Sequence, residues 1–422
     1  RRPGQLRARV RCERKRYMQT QTKNKPNNML LFFVAAALFN VAANFAHPVT
    51  PTFIQEYQLD SYMFGVALAV MQCSYFLMSP FWGKLNNYID SRKSMLICAL
   101  GYSVGQALFG MARSNGMLIF ARVFAGAFTG GAFTSFLTYI VNTSSDMERG
   151  RNLTIFATIQ AVGSAFGYFI GGFLGEVSLN VTFIAQSACL AIAGVAFFFI
   201  CKSDRPENAG PIVPSRLARE ANPFAAFVAC RHFMTLLFAV LFCVTCLHNL
   251  GYTAFEQCFN YYIKDSLGLT SRYNGLIKGV IGLVALAANS TICMWMIKKT
   301  NVRRSTIVVM GALLFSCTGV VFADSVGPFM TISVVFYAFN AIAIPLLQDL
   351  VAKRAAKTND SNLVMGFFNS TRSLGGIVGS LCAGFLYTAG PKIPFMFASA
   401  AFVLATLCAV LYAKAKNDPF AE

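Results

Sequence analysis

Residues 29–55 read MLLFFVAAALFNVAANFAHPVTPTFIQ and decide the fold. This stretch contains no charged side chain. An α-helix rises about 1.5 Å per residue, so the stretch is long enough to cross a hydrocarbon core of about 30 Å. A helix also satisfies its own backbone hydrogen bonds, for which lipid offers no partners. The stretch therefore predicts a transmembrane helix.

Similar apolar stretches follow along the rest of the chain at short intervals. Of the 422 residues, 56% are hydrophobic and 13% are charged, whereas an ordinary soluble domain has about 25% charged residues. So few charges cannot cover a water-soluble surface, which excludes soluble, secreted, fibrous and disordered proteins. We predict an all-α membrane protein with twelve transmembrane helices. The predicted spans are residues 29–55, 62–84, 93–112, 116–142, 152–175, 180–201, 232–262, 271–297, 305–324, 328–350, 364–388 and 393–413.

The charge balance is strongly basic, with 36 Lys and Arg against 17 Asp and Glu, a net charge of +19. In a soluble protein this excess would indicate nucleic-acid binding. With both termini placed in the cytoplasm, however, 29 of the 36 basic residues fall in cytoplasmic segments, four in outer loops and three within spans. Because cytoplasmic loops of membrane proteins are enriched in Lys and Arg, the excess indicates topology, and we expect no nucleic-acid partner.

The loops define the domain organisation and favour a cellular location. Short loops and outer loops without cysteine favour a multi-pass protein of the bacterial inner membrane, with both termini cytoplasmic. The basic N-terminal tail has no apolar run, so we do not interpret it as a signal peptide, and the part before Met18 need not be native. The predicted domains are a basic tail at 1–28, a six-helix bundle at 29–201, a cytoplasmic linker at 202–231, a second six-helix bundle at 232–413 and a tail at 414–422.

The two predicted bundles resemble each other in sequence. Equivalent positions share polar residues in the first helix of each bundle and glycines in the fifth. Such a duplicated unit predicts two pseudo-symmetric bundles with a binding site between them. The matched pairs are Asn40 with Asn249, Asn44 with Thr253 and His47 with Glu256 after a shift of 209 residues, and Gly163 with Gly375, Gly167 with Gly379 and Gly172 with Gly384 after a shift of 212.

Polar side chains within the spans are the candidate site. They recur every three or four residues on the first and seventh spans, which places them on one face of each helix. A charged group at the centre of a span costs about 2.5–3.5 kcal/mol, so the buried charges indicate function, although interhelical hydrogen bonding would also explain the uncharged groups. The surplus of buried cations favours an anionic or amphipathic substrate. The predicted cavity residues are Asn40, Asn44, His47, Arg122, Asn249, Thr253, Glu256, Asn260, Lys278, Tyr337, Asn340 and Arg372.

Three of the titratable residues are candidates for proton coupling. Glu256 is the first, because it lies on the polar face of a helix expected to line the cleft. His47, its counterpart in the repeat, is the second, since imidazole titrates near physiological pH. Asp349 is the third, although the nearby Lys353 and Arg354 make a gating salt bridge an equal alternative.

A metal site is weakly indicated by Cys243, Cys246 and His248 in the seventh span. Their spacing lacks a second ligand cluster, so we interpret them as helix-packing residues and predict neither a metal nor a cofactor. The sequence also lacks the metalloprotease and phosphate-loop motifs, which argues against an enzyme and against a nucleotide-driven pump.

Several motifs, in the right order along the chain, resemble those of the major facilitator superfamily. The loop after the second span is similar to the family's G-x-L-x-D-R-x-G-R-R motif, with Asn87 in place of the acid. Arg122 resembles the arginine of the fourth-helix motif, which is implicated in proton transfer. A segment of the fifth span resembles the drug-antiporter signature, with Tyr168 in place of the proline. The candidate gating residues carried by these motifs are Gly83, Leu85, Asn87, Asp90, Arg92, Gly163, Gly167, Gly171 and Gly172.

The resemblance implies a secondary transporter that works by alternating access. We expect a monomer in the lipid bilayer that moves a small amphipathic or organic compound, with proton-coupled efflux preferred. Two alternatives stay open: proton-coupled or facilitated uptake of an organic anion or a sugar, and a lipid flippase.

Overall fold

The computed structural model describes residues 28–204, 217, 220–355 and 361–414. The predicted N-terminal tail up to Asn27, the end of the chain after Lys414 and most of the linker lie outside the described residues. The described part consists of long helices, and their bounds agree with the predicted spans to within a few residues, apart from the longer start of α5. The helices are α1 (Asn28–Ala43 and Ala46–Glu56), α2 (Met63–Leu85), α3 (Ser91–Gly110), α4 (Asn115–Thr143), α5 (Asp146–Val177), α6 (Leu179–Ile200), α7 (Leu236–Asp265), α8 (Ser271–Ala288, Asn289–Cys293 and Met294–Lys299), α9 (Val302–Val321), α10 (Val326–Ala355), α11 (Ser361–Ala389) and α12 (Ile393–Lys414).

Ten of the helices in the described ranges are long and apolar enough to cross a membrane. The other two, α3 and α11, reach similar lengths but are more polar. In α11, the polar residues Asn369, Ser370, Arg372 and Ser373 line a cavity.

The first helix is interrupted, whereas the sequence predicted one continuous span. At Asn44 and Phe45 the backbone forms a turn with bonds to the third preceding residue. Pro48 explains the break, because it has no N–H to donate to the Asn44 carbonyl and its ring would collide with that carbonyl in a regular helix.

Two further features were absent from the prediction. In α8, residues Asn289–Cys293 form a single π-helical turn, a feature that local sequence does not reveal. In the linker, Ala225–Ala229 form a short helix, so the predicted loop at 202–231 is partly helical.

The helices pair in the same pattern in the two halves of the chain. In the first half, α1 packs against α5 and α6, α2 against α4, and α3 against α4 and α6. In the second half, α7 packs against α11 and α12, α8 against α10, and α9 against α10 and α12. Each pairing therefore recurs six helices later, as a duplicated unit requires. Contact between the halves runs mainly through α5 with α8 and α2 with α11.

Glycines allow the two halves to touch at the end away from the linker. A Cβ on Gly65 would lie 2.3 Å from the Ser380 carbonyl oxygen, and one on Gly172 would lie 2.7 Å from that of Ser271. Side chains such as Thr52 and Ser271, whose hydroxyls are 2.9 Å apart, add hydrogen bonds at the same end. One apolar core runs across both halves there, while a second core is confined to the first half. The molecule is thus closed at this end.

Candidate substrate and coupling site

A buried ion pair lies at the centre of the second half. The Nζ atom of Lys278 on α8 is 2.7 Å from both carboxylate oxygens of Glu256 on α7. The same ammonium donates to the Tyr337 hydroxyl on α10 at 2.6 Å, and Asn260 donates to Glu256 at 3.2 Å. The Lys278 and Glu256 side chains are only 6% and 13% exposed. Charges in so dry a setting persist only when paired and hydrogen-bonded.

Aromatic rings enclose the ammonium of Lys278. The Nζ atom lies 4.1 Å from the ring centre of Tyr337 and 4.7 Å from that of Phe259, distances at which a ring face attracts a cation. Tyr168 on α5 contributes a third ring, 5.8 Å away, and stacks on His47 of α1 with ring centres 5.3 Å apart. The ion pair of the second half therefore adjoins side chains of the first half.

A small enclosed cavity adjoins His47, Arg122 and Asn260. Its volume of about 20 Å³ is enough for one water molecule. The Arg122 guanidinium covers the Phe109 ring at 3.9 Å, and its Nη1 lies 3.5 Å from the Met71 sulfur. The remaining lining residues are Thr50, Pro51, Phe64, Leu68, Gln257 and Tyr261.

A larger cavity of about 730 Å³ lies between the halves on the side of the linker. Predicted residues Asn249, Thr253 and Arg372 line it. Its size is within the range of small-molecule sites. The other lining residues are Gln72, Tyr75, Phe76, Ser79, Pro80, Thr134, Gln160, Pro223, Tyr252, Asn369, Ser370, Ser373 and Gly376.

The linker covers part of the larger cavity. Pro223 lies in its wall. Phe227 contacts Phe76 on α2 and Phe367 on α11, with ring centres 6.4 and 5.2 Å apart. These aromatic contacts connect the two halves through the linker at the end opposite the closed end.

The remaining predicted cavity residues, Asn40, Asn44 and Asn340, line neither of the two cavities. Asn40 donates to the Ala36 carbonyl at 2.8 Å and packs against Gly163 of α5. Asn44 accepts a hydrogen bond from Ser164 at 3.1 Å. Both belong to the contact between α1 and α5 and line neither cavity. Asn340 is buried on α10, at 7% exposure, and also lines neither cavity.

Asp349 lies away from the central ion pair. It forms a salt bridge of 2.9 Å with Lys353 one turn later on α10. Because twelve residues separate it from Tyr337 on the same helix, the two positions are about 18 Å apart along the axis. The salt-bridge alternative for Asp349 thus has a geometric basis.

Of the gating candidates in the loop after α2, Asp90 makes the polar contacts. It accepts a hydrogen bond from Ser203 at the start of the linker and lies 3.5 Å from Nε of Arg92. Gly83, Leu85 and Asn87 precede it: Gly83 faces Thr134, Leu85 packs on the first-half core and Asn87 is exposed. The loop therefore joins α2 and α3 to the end of α6 within the first half.

The candidate gating glycines of α5 face two neighbouring helices, α1 and α8. Gly163, Gly167 and Gly171 face α1, where an added Cβ would come within 2.9 Å of Asn40, 2.3 Å of Val41 or 2.3 Å of Phe45. Gly172 faces α8. These glycines are close-approach positions between helices.

Of the three residues in the seventh span that weakly indicate a metal site, His248 lies in the protein interior. His248 is 1% exposed and packs near Phe402. Within the described ranges, no group of three His, Cys, Asp or Glu side chains is arranged to hold a metal ion.

Comparison with known proteins gives the family. The family model described as Major Facilitator Superfamily matches residues 30–377 and also residues 262–420. The chain belongs to the Major Facilitator Superfamily. It is therefore a multi-pass membrane transporter of small molecules and not an enzyme.

Relatives within the superfamily include drug-resistance proteins. The chain is 22% identical to multidrug resistance protein 2 of Bacillus subtilis, over 88% of this chain and 91% of that protein. It is 23% identical to the quinolone resistance protein NorA of Staphylococcus aureus, over 83% and 87%, and 23% identical to the class C tetracycline resistance protein of Escherichia coli, over 86% and 91%.

Solved superfamily structures share the fold. The nucleoside transporter NupG superposes with a TM-score of 0.72 at 11% identity, covering 92% of this chain and 100% of that one. The human organic anion transporter MFSD10 superposes with a TM-score of 0.64 at 18% identity, covering 91% and 100%. At these identities the likeness shows the fold alone.

Sequence reasoning missed several residues of the candidate site. Tyr168 was noted only as a departure from a motif, yet its ring contacts both His47 and Lys278. Gln72 and Gln160 line the larger cavity. The sequence signal for Gln72 and Gln160 was the uncharged amide within a span, because such a group needs a polar partner or water.

Proposed function

We propose that the protein is a proton-coupled exporter of small amphipathic compounds that works by alternating access. The observation that carries the proposal is the buried Glu256–Lys278–Tyr337 cluster next to side chains of the first half. Membership of the superfamily accounts for the transport activity. The cluster is the candidate for coupling that transport to protons.

Proton binding to Glu256 would change the charge of the cluster. In the observed state the carboxylate neutralises Lys278. A protonated Glu256 would leave the ammonium buried without an anionic partner, which is costly in a dry interior. The cost is relieved if the helices move or if another anion approaches. Protonation can thus bias the equilibrium between two arrangements of the halves.

The proposed export direction rests on the relatives named for multidrug, quinolone and tetracycline resistance. The larger cavity lies on the side of the linker, which we predict to be cytoplasmic from the distribution of Lys and Arg. The opposite side is closed by α5 with α8 and by α2 with α11. A compound can enter or leave this state on the linker side, as alternating access requires for export and uptake alike.

Uptake of an organic anion is the second candidate. The cationic Arg372 in the cavity wall and the shared fold with the human organic anion transporter MFSD10 favour it. In this case the flux would run inward, with or without a proton gradient.

Flux in vesicles separates the candidates. The purified protein is reconstituted, and accumulation of a labelled tetracycline and a labelled quinolone is followed with the pH gradient imposed in either direction. Proton-coupled export predicts that the drug accumulates only when protons cross the membrane in the direction opposite to the drug. Accumulation driven along the proton flux indicates symport, and equal flux without a gradient indicates facilitation. Movement of a labelled lipid in place of both drugs indicates a flippase.

A further inference from the structure

The wall of the larger cavity carries positive charge that no acid in it opposes. Among the described residues that line it, Arg372 is the only charged one. The rest of the wall offers amides and hydroxyls, such as Gln72, Gln160 and Thr253, and the rings of Tyr75 and Tyr252. A bound cation would meet no carboxylate there, whereas an anion would meet a guanidinium.

Two hydrogen-bond donors in this wall have no acceptor. Nε of Arg372 and Nδ2 of Asn249 are buried atoms without a hydrogen-bond partner in the described part of the chain. Asn249 is itself only 7% exposed. Buried donors of this kind are uncommon in proteins and indicate an absent partner. The partner that satisfies both is an acceptor, and beside a guanidinium a charged acceptor binds most strongly.

Lys278 and Arg122 do not line the larger cavity. Lys278 binds the Glu256 carboxylate. Arg122 also has a buried Nε without a partner among the described residues, but it lies against the Phe109 ring and the Met71 sulfur beside the small enclosed cavity, which has room for one water molecule. Arg372 lies in the wall of the larger cavity, and within the described ranges its one ring contact is distant, 5.8 Å from the centre of Phe368. It is therefore the cation that is placed to receive a ligand.

We propose that the transported compound is an organic anion with an aromatic body, and that its anionic group binds Arg372 and Asn249. Its rings pack against Tyr75, Phe76 and Tyr252, which lie in the same wall. The proposal rests on the proposed transport function and adds the substrate class. It sets this chain apart from any carrier that selects cations through an acidic side chain.

Three ring-matched compounds of different charge test the proposal: naphthalene-2-sulfonate, naphthalene-2-sulfonamide and the 2-naphthyl-trimethylammonium cation. Each is added to the purified full-length protein in detergent, and thermal unfolding gives the stabilisation and the apparent Kd. The sulfonate is expected to stabilise the protein at a concentration at least tenfold below that of the other two. Equal effects of the three compounds, a preference for the cation, or no effect of any of them would overturn the proposal.

Arg372 variants locate the site. Arg372→Gln is expected to weaken sulfonate binding by roughly tenfold or more, because a charge-assisted hydrogen bond is lost. Arg372→Lys is expected to retain part of the affinity, since it keeps the charge but not the fork of donors. Arg304→Gln removes the same charge from an exposed position at the start of α9 and serves as the matched control. Unchanged sulfonate affinity in folded Arg372→Gln would contradict the proposed subsite.

The binding test is independent of coupling. Sulfonate selectivity without any effect of a pH gradient on transport would support the anion site and refute proton coupling. If the protein instead prefers the naphthyl cation but transports drugs under a pH gradient, proton coupling is supported and the anion site is refuted.

Discussion

The first helices of the two halves, α1 and α7, carry matching polar positions but use them differently. In α1, Asn44 accepts a hydrogen bond from Ser164 of α5, while Asn40 donates to the Ala36 carbonyl of its own helix and packs against Gly163. In α7, the equivalent Asn249 and Thr253 line the larger cavity. The next equivalent pair differs in charge: His47 stacks on a tyrosine, whereas Glu256 binds Lys278.

This difference shows how a duplicated scaffold becomes asymmetric. Both halves retain the same helix pairings. Small residues at these contacts let the helix backbones approach closely in each half. The buried pair of opposite charges, Glu256 and Lys278, lies in the second half, and the first half places Tyr168 and His47 beside it. Variants made in one half at a time test this difference.

The largest effect is expected at the central ion pair. Lys278→Met leaves the Glu256 carboxylate buried without its cation and should lower the free energy of unfolding by about 3–5 kcal/mol. The double variant Glu256→Gln with Lys278→Met should recover most of that loss. Thermal unfolding of the two single variants and the double variant measures the coupling.

The control is the pair Asp349 and Lys353, in which the lysine side chain is 60% exposed. Lys353→Met should change stability by less than about 1 kcal/mol. Additive losses at Glu256 and Lys278 would show that the two side chains do not depend on each other.

Equivalent glycines should behave alike in the two halves. A Cβ on Gly167 would lie 2.3 Å from the Val41 carbonyl oxygen, and one on Gly379 would lie 2.2 Å from that of Leu250. Each Gly→Ala variant should therefore lose about 1–3 kcal/mol, since backbone must move. Gly311→Ala, with nothing near its added methyl, should be neutral or stabilising because alanine favours helix. Unfolding temperatures that differ widely between the two halves would refute the common scaffold.

The polar positions of α1 and α7 should separate stability from binding. Asn44→Ala removes the hydrogen bond from Ser164 and should cost about 0.5–1.5 kcal/mol of stability while leaving affinity for naphthalene-2-sulfonate unchanged. Asn249→Ala should weaken that affinity several-fold with little loss of stability, because its Nδ2 has no protein partner. Thermal unfolding with and without the sulfonate measures both. The contrast fails if Asn44→Ala changes affinity more than Asn249→Ala does.

Much of the fold could be predicted from the sequence. The length of the apolar stretches predicted the helices, because a backbone in lipid must satisfy its own hydrogen bonds. The break in α1 was harder to predict: Pro48 accounts for it, but Pro51, three residues later, lies inside a continuous helix, so a proline in the sequence does not by itself distinguish an interruption from a regular turn. The π-helical turn in α8 has no local sequence signal.

The candidate site was only partly predictable. Periodicity places Asn40 and Asn249 on one face of their helices but does not say what that face meets. The partner of Glu256 was not deduced either, because Lys278 comes close only when α7 and α8 pack together. Tyr168 joins the site from the other half, at a distance along the chain that no local pattern encodes.

Transport by Glu256→Gln in reconstituted vesicles tests directly whether Glu256 couples transport to the proton gradient. Labelled tetracycline, quinolone and naphthalene-2-sulfonate are followed under an imposed pH gradient and, separately, in exchange without a gradient. Our account predicts that the variant loses gradient-driven accumulation of every compound that the native protein accumulates, while it retains exchange. Gradient-driven accumulation at the native level would contradict the account and remove Glu256 from the coupling mechanism.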